Sequence, residues 1–281
     1  MNEHGDAGAE IRSAANERFR ELLELATSAR ERKVRGLSVI EGVHLLQAWV
    51  DRHGAAGAPL RVFVPRRGLQ REEIRALLAR IGPPPLLLDE RLFARASQVA
   101  QGDGPIAIVA TPRPALPARL DHDAIYLDRI QDPGNVGSIL RTCAAAGIGR
   151  VITAPGTAFC WAPKVLRAGM GAHFHLDIHE SVAPEELLQR CAVAVRATEA
   201  GAGQTIYEAD LRTPAVWLFG NEGQGLAAAF GAQPGIERLA IPQQPSTESL
   251  NVGVAAALCL YEQWRQRSAA PAVSGRAAAA R

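Results

Sequence analysis

Short apolar segments alternate with amphipathic segments along the first part of the chain. The first amphipathic segment follows Asn16, a candidate N-cap, and places Phe19, Leu22, Leu23 and Ala26 at helical spacing. The later segments predict strands at 37–40, 60–64, within 83–88 and at 106–110, and helices at 43–50, 71–81 and 91–98. This alternation predicts a small α/β domain over residues 16–111.

A proline-rich segment separates this region from the rest of the chain. Pro112, Pro114 and Pro117 cannot continue a helix or a central strand, so residues 112–120 are predicted to form a linker. The two ends of the chain carry little apolar patterning. We therefore expect residues 1–15 to be disordered and residues 269–281 to form a flexible tail.

The alternation returns between residues 121 and 268, which predicts a second α/β domain. Its predicted strands are 124–127, 151–153, 192–197, 215–219 and 239–241, and its predicted helices are 136–146, 163–167, 184–191 and 250–267. In the last helix Val254, Leu258, Tyr261 and Trp264 form an apolar stripe, which is the face that a surface helix normally buries.

Composition excludes several classes of protein. The chain has 281 residues, of which 47% are hydrophobic and 21% charged, so it is not globally disordered. No run reaches the roughly 18 apolar residues that span a bilayer, and the first ten residues do not resemble a secretory signal. The four cysteines form no CxxC pair, which favours free thiols in a reducing cytoplasm over a zinc ribbon or a redox site. We therefore expect a cytoplasmic protein without a membrane partner.

The net charge of +2 does not indicate a nucleic-acid partner, but the charge is unevenly divided. Residues 1–118 hold 17 basic and 14 acidic side chains, so the net positive charge lies in the first domain. A basic run there, formed by Arg30, Arg32, Lys33 and Arg35, has two interpretations. It is either a phosphate contact of an RNA-binding protein or a solvated face.

The first of three candidate functional segments runs from Leu127 to Thr142 and consists of a strand end, a polar Pro-Gly turn and a helix. Asn135 is a candidate N-cap of that helix. Arg141 follows six residues later among small apolar residues, so we expect it to be buried and to need a partner. A phosphate group suits the fork of donors that arginine offers.

Two further segments follow predicted strands, at the carboxyl ends where open α/β sheets bind ligands. The stretch Phe219–Gly225 contains three glycines, which let backbone approach a ligand closely. It lacks the GxGxxG order of a nicotinamide site, and no GxxxxGK[ST] of a P-loop occurs in the chain. In the third segment, Ile241–Val252, Ser249 and Asn251 flank Leu250 at the start of the last helix, where capping needs only one of them.

In this order and spacing, the three segments resemble the SpoU/TrmH family of SPOUT RNA methyltransferases. The matching residues are Asp-Pro-Gly-Asn-Val-Gly…Arg (132–141), Phe-Gly-Asn-Glu-Gly-Gln-Gly (219–225) and Ile-Pro…Ser-Leu-Asn-Val (241–252). The resemblance covers about residues 120–267. Asn16 with its helix and Val39–Gly42 also make the first domain similar to the family's N-terminal domain. The resemblance implies an α/β fold in which a trefoil-knotted SPOUT methyltransferase domain follows a small α/β ribosomal-protein-like RNA-binding domain.

The resemblance further implies an enzyme that transfers a methyl group from S-adenosylmethionine to a ribose 2′-hydroxyl of RNA. It implies a homodimer with active sites across the interface, no metal, and rRNA or tRNA as substrate. We favour 23S rRNA, because the first domain looks like those of rRNA-directed members. The family's catalytic positions fall on Asn135, Arg141, Glu222, Ser249 and Asn251, and its cofactor-binding positions fall on Leu218, Gly220, Ile241 and Leu250.

Arg141 is a poor proton acceptor, because its side chain stays protonated in proteins. Our hypothesis is that Arg141 holds an RNA phosphate beside the 2′-hydroxyl and stabilises the developing alkoxide, while the phosphate or a nearby group takes the proton. Asn135 and Ser249 would orient the ribose or Arg141. The chain departs from the family at Gly253, where a serine is common.

Several alternatives compete with this interpretation. If 173–179 is a strand, His173, His175, Asp177 and His179 share one face and could bind a transition metal, although a half-buried strand is the simpler explanation.

Cys143 could act as a nucleophile, and Trp161 and Trp217 could stack on bases, but packing is the commoner use of both residue types. A non-catalytic RNA-binding protein and a small-molecule enzyme remain as rival functions.

Overall fold

Two β-sheets, one from each half of the chain, organise the fold. The computed structural model describes residues 10–99, 102–221, 223–231, 233–247 and 249–268. The first sheet has the spatial order β1-β4-β3-β5-β2 and mixes parallel and antiparallel pairs. Its strands are β1 (Glu10–Ile11), β2 (Leu37–Glu41), β3 (Arg61–Pro65), β4 (Leu86–Leu88) and β5 (Ile106–Ala110). The helices of this half are α1 (Glu17–Thr27), α2 (Ala29–Arg35), α3 (Val43–His53), α4 (Glu72–Ile81) and α5 (Glu90–Ala96).

The second sheet is entirely parallel and has the order β11-β9-β10-β6-β7-β8. Its strands are β6 (Ala124–Leu127), β7 (Arg150–Thr153), β8 (Asp177–His179), β9 (Ala194–Thr198), β10 (Ala215–Phe219) and β11 (Ile236–Leu239). The helices of this half are α6 (Pro133–Ala145), α7 (Pro163–Gly169), α8 (Pro184–Arg190), α9 (Ala228–Gly231) and α10 (Val252–Ser268). Because all its strand pairs are parallel, the carboxyl ends of these strands meet at one edge, where a ligand site is expected.

The start of the described chain corrects one prediction and confirms another. Glu10 and Ile11 pair with β4, and the carbonyl of Ile11 accepts a hydrogen bond from the Asp89 amide at 3.0 Å, so the disorder predicted for 1–15 is wrong from residue 10. Residues 1–9 lie outside the described residues, as does the predicted tail 269–281. The Asn16 side chain accepts from the amides of Arg18 and Phe19, which confirms it as the N-cap of α1.

The two halves pack against each other through aromatic side chains. Trp49 of α3 lies edge-on to Trp161 and Phe174, with ring centroids 6.5 and 5.4 Å away. Arg52 Nε also donates to the carbonyl of Phe174 at 2.8 Å. The predicted linker 112–120 forms no helix or regular strand, with only an isolated bridge at Leu120. Since one hydrophobic core includes residues of both halves, the exact domain boundaries remain a prediction.

The last helix buries a different face from the one predicted. Val254, Tyr261 and Trp264 are 48, 46 and 53% exposed. Its buried side chains are instead Val252, Ala255, Ala256, Cys259, Leu260, Glu262 and Gln263. This buried face includes the side that packs against α6, while most of the apolar stripe points outward. The strand predicted at 239–241 also lies earlier, at Ile236–Leu239.

The histidine-rich segment is not a single strand. Ala172–His175 forms a 3-10 turn, and only Asp177–His179 belongs to β8. His173 is buried with Nε2 2.9 Å from the Cys160 carbonyl, whereas His175 is exposed. The shared metal-binding face that a strand would create therefore does not form. Within the described residues no group of three or more His, Cys, Asp or Glu side chains could hold a metal ion, and no helix is long and apolar enough to cross a membrane.

Candidate active site

A cavity of about 360 Å³ opens at the carboxyl edge of the parallel sheet. It is bounded by the loops after β9, β10 and β11 and by the start of α10. Gly220, Ile241 and Leu250, three of the predicted cofactor-binding residues, line it, and Ser249 does so as well. The volume is in the range of small-molecule sites.

The glycine-rich loop forms one wall of this cavity by folding back on itself. Asn221 and Gly225 exchange two backbone hydrogen bonds, at 3.1 and 2.8 Å. This return requires glycine at position 220, because a Cβ there would lie 2.5 Å from the carbonyl carbon of Gly225. The glycines were predicted to let the backbone of this loop approach a ligand closely. In the structure, Gly220 lets the loop's own backbone at Gly225 come close.

The beginning of the first sequence segment, where no residue was assigned a role, fixes this loop from outside. Asp128 is buried, and its Oδ2 accepts from the Ala227 amide at 2.5 Å. The guanidinium of Arg129 donates to Gln224 Oε1 at 2.9 Å and to the Gly225 carbonyl at 3.2 Å. Arg129 has a φ of 57°, a conformation that costs a non-glycine residue free energy and is held here by contacts on several sides.

Helix α6 begins one turn earlier than predicted, and its cap is a different residue. Asp132 is the N-cap, and its Oδ1 accepts from the Asn135 amide at 2.7 Å. The prediction that Asn135 caps this helix is therefore wrong. The Asn135 side chain instead accepts a hydrogen bond from Asn251 Nδ2 at 2.9 Å.

Asn251 joins the first and third sequence segments across 116 residues of chain. Its Oδ1 accepts from the amides of Gly253 and Val254 at 2.9 and 3.3 Å, so it also caps α10. One amide group thus performs both functions: its oxygen caps the helix and its nitrogen holds Asn135. A Cβ on Gly253 would lie 3.1 Å from Asn251 Oδ1, so the absence of a side chain at 253 leaves room for this arrangement.

Arg141 is exposed, so the expectation that it is buried is wrong. The buried face of α6 is formed by Val136, Ile139, Leu140 and Cys143 together with Gly137. Arg141 lies one turn after Ser138 on the opposite face. Its side chain makes no ion pair or hydrogen bond with any residue that the structure describes.

One further predicted cofactor-binding residue does not line the cavity. Leu218 is fully buried within β10 and packs in the core on one side of the sheet. Glu222 lies outside the described residues. Conversely, the loop Thr198–Gly201 lines the cavity but was not predicted. The rule that ligands bind beyond the carboxyl ends of strands could have found it, because it directly follows the predicted strand 192–197.

A larger groove of about 760 Å³ borders the asparagine pair on the other side. We call it the α10 groove. It is lined by Ser138, Tyr207, Asn251, Gly253, Val254, Ala257, Leu258, Tyr261, Glu262, Trp264 and Arg265. Its walls are predominantly apolar and include the exposed stripe of α10.

The predicted basic run is split by the fold. Arg30 and Lys33 are exposed, but Arg32 is only 5% exposed and donates to the carbonyls of Leu25 and Ala26 at 2.5 and 3.2 Å. Burial lowers the pKa of the Arg32 guanidinium. Arg35 pairs with Glu24 and Glu31. Arg32 is therefore unavailable for the RNA contact predicted for it, and the charge of Arg35 is already balanced.

The residues proposed for rival chemistry are in the interior. Cys143 is fully buried, and burial raises the pKa of its thiol, which opposes the thiolate form that a nucleophile needs. Trp161 and Trp217 are 2 and 0% exposed, and Trp217 Nε1 donates to Gln263 at 2.7 Å. Both tryptophans therefore serve packing and are not base-stacking surfaces.

Comparisons with known proteins converge on one family. The family model described as "SpoU rRNA Methylase family" matches residues 123–261. An uncharacterized tRNA/rRNA methyltransferase of Synechocystis is 31% identical over 93% of this chain and 96% of its own length. The 23S rRNA (guanosine(2553)-2′-O)-methyltransferase RlmP of Bacillus subtilis is 29% identical over 90% of this chain and 98% of its own.

Solved structures show the same similarity over nearly the whole chain. The SpoU methyltransferase AviRb from Streptomyces viridochromogenes, in complex with its cofactor AdoMet, aligns with a TM-score of 0.82 at 25% identity. The alignment covers 90% of this chain and 99% of AviRb. A structure described as an RNA 2′-O ribose methyltransferase is 30% identical, with a TM-score of 0.76 over 92% of this chain and all of the other.

Proposed function

Because the chain belongs to the SpoU rRNA methylase family, we propose that it methylates a ribose 2′-hydroxyl of RNA with S-adenosylmethionine as donor. The observation that carries this proposal is the Asn135–Asn251 hydrogen bond beside the cavity that Gly220, Ile241 and Leu250 line. Residues from three distant segments meet there. The substrate is 23S rRNA, as the name of the Bacillus subtilis relative states for that protein.

The 360 Å³ cavity suits the cofactor in shape and chemistry. Ile241, Leu250 and Val252 offer apolar contacts for an adenine ring, and the strand-end loops offer backbone donors and acceptors. Glu199 also lines the cavity, and its carboxylate pairs with Arg238. S-adenosylmethionine supplies a methyl group on a sulfonium, so alignment with the acceptor oxygen contributes much of the catalysis.

The polar residues outside the cavity act on the RNA. Asn135, held by Asn251, orients the target ribose, and Ser249 lies on the cavity side of the same position. Arg141 binds a phosphate next to the 2′-hydroxyl and stabilises negative charge as the oxygen–methyl bond forms and the carbon–sulfur bond breaks. The hydroxyl proton passes to a phosphate oxygen or to a nearby group, because the arginine side chain has no acceptor.

A homodimer and a trefoil knot complete this proposal. The exposed Val254, Tyr261 and Trp264 of the α10 groove are the kind of aromatic and apolar residues that interfaces bury, and the groove includes Asn251. A second copy seated there would close the active site. The knot is supported by the chain path: after the edge strand β11, the chain returns past the loops after β9 and β10 to pack α10 against α6.

Methyl transfer from tritiated S-adenosylmethionine tests the proposal. RNA from a strain lacking the protein would be fractionated into rRNA and tRNA, and labelled nucleosides would be identified after digestion. Label in a 2′-O-methylnucleoside of 23S rRNA is expected. Label on a base, or no label in either fraction, would contradict the activity, and label confined to tRNA would contradict the substrate.

Two variants test the components of the mechanism. Arg141→Ala should bind cofactor normally yet transfer methyl at least ~100-fold more slowly, as loss of a transition-state charge partner does. Near-normal transfer would remove Arg141 from the mechanism. Trp264→Glu should convert a dimer into monomers in sedimentation analysis, whereas a monomeric wild type or a dimeric variant would contradict the interface.

A further inference from the structure

A separate cleft of about 370 Å³ lies where the two halves of the chain meet. We call it the junction cleft. Lys33 from α2, Arg113 from the segment after β5, and Phe159, His179 and Glu180 from the second half line it. None of the proposed catalytic or cofactor-binding residues that the structure describes belongs to its lining.

The junction cleft presents two cations that form no close ion pair among the described residues, and one carboxylate of the same cleft, Glu180, interacts with the charge of both. Lys33 Nζ lies over the Phe159 ring, 5.3 Å from its centroid. Arg113 Nη2 donates to the Lys33 carbonyl at 2.6 Å, which fixes the guanidinium at the end of α2. Among the described residues, neither side chain has an Asp or Glu oxygen within 4.0 Å. Arg35, two residues from Lys33, contrasts with them because it pairs with Glu24 and Glu31.

The acidic residue of the cleft offsets only part of this charge. Glu180 Oε1 accepts the amide hydrogen of Cys160 at 2.8 Å; burial raises the pKa of the Glu180 carboxyl, and the charges of Lys33 and Arg113 oppose that rise. With two cations and one carboxylate, the cleft keeps a net positive charge. The Phe159 ring is already covered by Lys33 and is 8% exposed, so it offers no free face on which a base could stack.

One loop connects the junction cleft to the proposed catalytic segment. The Ala158 amide donates to the Ile130 carbonyl at 2.8 Å, and Thr157 Oγ1 accepts from the Arg129 amide at 3.1 Å. The next residue, Phe159, lines the cleft. An RNA strand bound at Asn135 could therefore continue along this loop toward the first half of the protein chain.

We propose that Lys33 and Arg113 bind a backbone phosphate of the RNA substrate in the junction cleft, outside the target nucleotide. Two cationic donors without an available stacking face suit a phosphodiester better than a base. Lys33 supplies a compact positive charge. Arg113 supplies the guanidinium N–H donors that are not used in its hydrogen bond to the Lys33 carbonyl. This inference rests on the proposed function, and it assigns the first half of the chain a specific contact with RNA.

Salt dependence of RNA binding tests the cleft. Affinity for a 23S rRNA fragment that the wild type methylates would be measured at several salt concentrations for Lys33→Ala, Arg113→Ala and the matched control Arg35→Ala. Because both residues contact one phosphate, the double variant Lys33→Ala/Arg113→Ala should reduce the slope of log K against log salt by about 0.7–0.9, the value for one lost phosphate contact, and each single variant should reduce it by part of that amount. Arg35→Ala should keep the wild-type slope.

Kinetics separate this contact from the chemistry. Both cleft variants should raise the KM for RNA about fivefold or more, with unchanged kcat and unchanged KM for S-adenosylmethionine. Arg113→Lys keeps the positive charge, so it should restore much of the salt dependence that Arg113→Ala loses. This variant separates loss of the charge from loss of the hydrogen bond to the Lys33 carbonyl. Wild-type slopes and KM values in both alanine variants would overturn the cleft proposal. Absence of transfer by the wild type would instead overturn the proposed function.

Discussion

Asn251 has two roles that substitution can separate. Its Oδ1 caps α10 through the amides of Gly253 and Val254, and its Nδ2 donates to Asn135. Asn251→Ala removes both interactions. Asn251→Asp keeps the capping oxygen and loses only the donor.

The expected stabilities follow from these contacts. Loss of an N-cap costs about 1 kcal/mol, and loss of a neutral hydrogen bond costs a similar amount, so Asn251→Ala should destabilise the protein by about 1–2 kcal/mol. At about 2–4 °C per kcal/mol for a chain of this size class, the Tm should fall by several degrees. In Asn251→Asp the carboxylate interacts favourably with the helix N-terminus, by about 0.3–1 kcal/mol, which largely offsets the lost bond.

The loss of methyl-transfer activity in these variants should not parallel their loss of stability. The carboxylate that Asn251→Asp introduces can only accept, so Asn135 must turn its own amide over to donate, and this reverses the donor and acceptor that it presents to the ribose. We expect Asn251→Asp to remain within about 1 kcal/mol of wild-type stability while its kcat falls at least ~10-fold. Thermal unfolding, cofactor binding by calorimetry and tritium transfer would be measured on the same preparations. Full activity in Asn251→Asp would refute the orienting role, and equal destabilisation of the two variants would refute the cap.

Three further outcomes are expected. Gly220→Ala should destabilise the protein by about 1–3 kcal/mol and abolish S-adenosylmethionine binding by calorimetry, because the new Cβ meets Gly225 backbone at 2.5 Å; normal binding would contradict the close approach. Arg129→Gly should weaken cofactor binding several-fold and lower the Tm, since glycine accepts a φ of 57° but cannot hold the loop and leaves buried Asp128 without its ion-pair partner; an unchanged Kd would show that Arg129 does not position the loop. Burial lowers the pKa of His173 to about 4, so the unfolded chain binds the extra proton and stability should fall as pH drops from about 6.5 to about 4, by up to roughly 1.4 kcal/mol per pH unit. The free energy of unfolding of His173→Gln, measured with urea, should fall less steeply with decreasing pH in that window. A pH dependence identical to that of the wild type would assign the effect to other groups.

Locally determined features were predictable from sequence. Strand β10 was predicted at its observed bounds, because five apolar residues lie between Pro214 and Gly220. The Asn16 cap was equally visible, since the capping residue and the helix it begins are neighbours in the chain. The position of the 360 Å³ cavity also followed from a general rule, that loops after parallel strands meet at one edge of the sheet.

Features that depend on a distant partner were not predictable. The apolar stripe of α10 was correctly recognised, but periodicity cannot tell which face meets α6 and which remains outside. Arg32 and Arg35 looked equivalent to Lys33, yet one folds back onto the carbonyls at the end of α1 and the other pairs with Glu24 and Glu31. The positive φ of Arg129 is a further example, because only the surrounding bonds make such a conformation tolerable for arginine.

The asparagine pair shows how the two kinds of information combine. Local reasoning offered capping for both Asn135 and Asn251, and a cap would have explained each without any function. In the structure Asp132 performs that role for α6, so capping no longer accounts for the Asn135 side chain. Asn251 does cap α10, but only through its oxygen, and its nitrogen reaches Asn135. Two polar residues that share a hydrogen bond across 116 positions, when only one is needed as a cap, imply a requirement beyond helix initiation. The orientation of a substrate group at the adjoining cavity, which we propose for this pair, would meet that requirement.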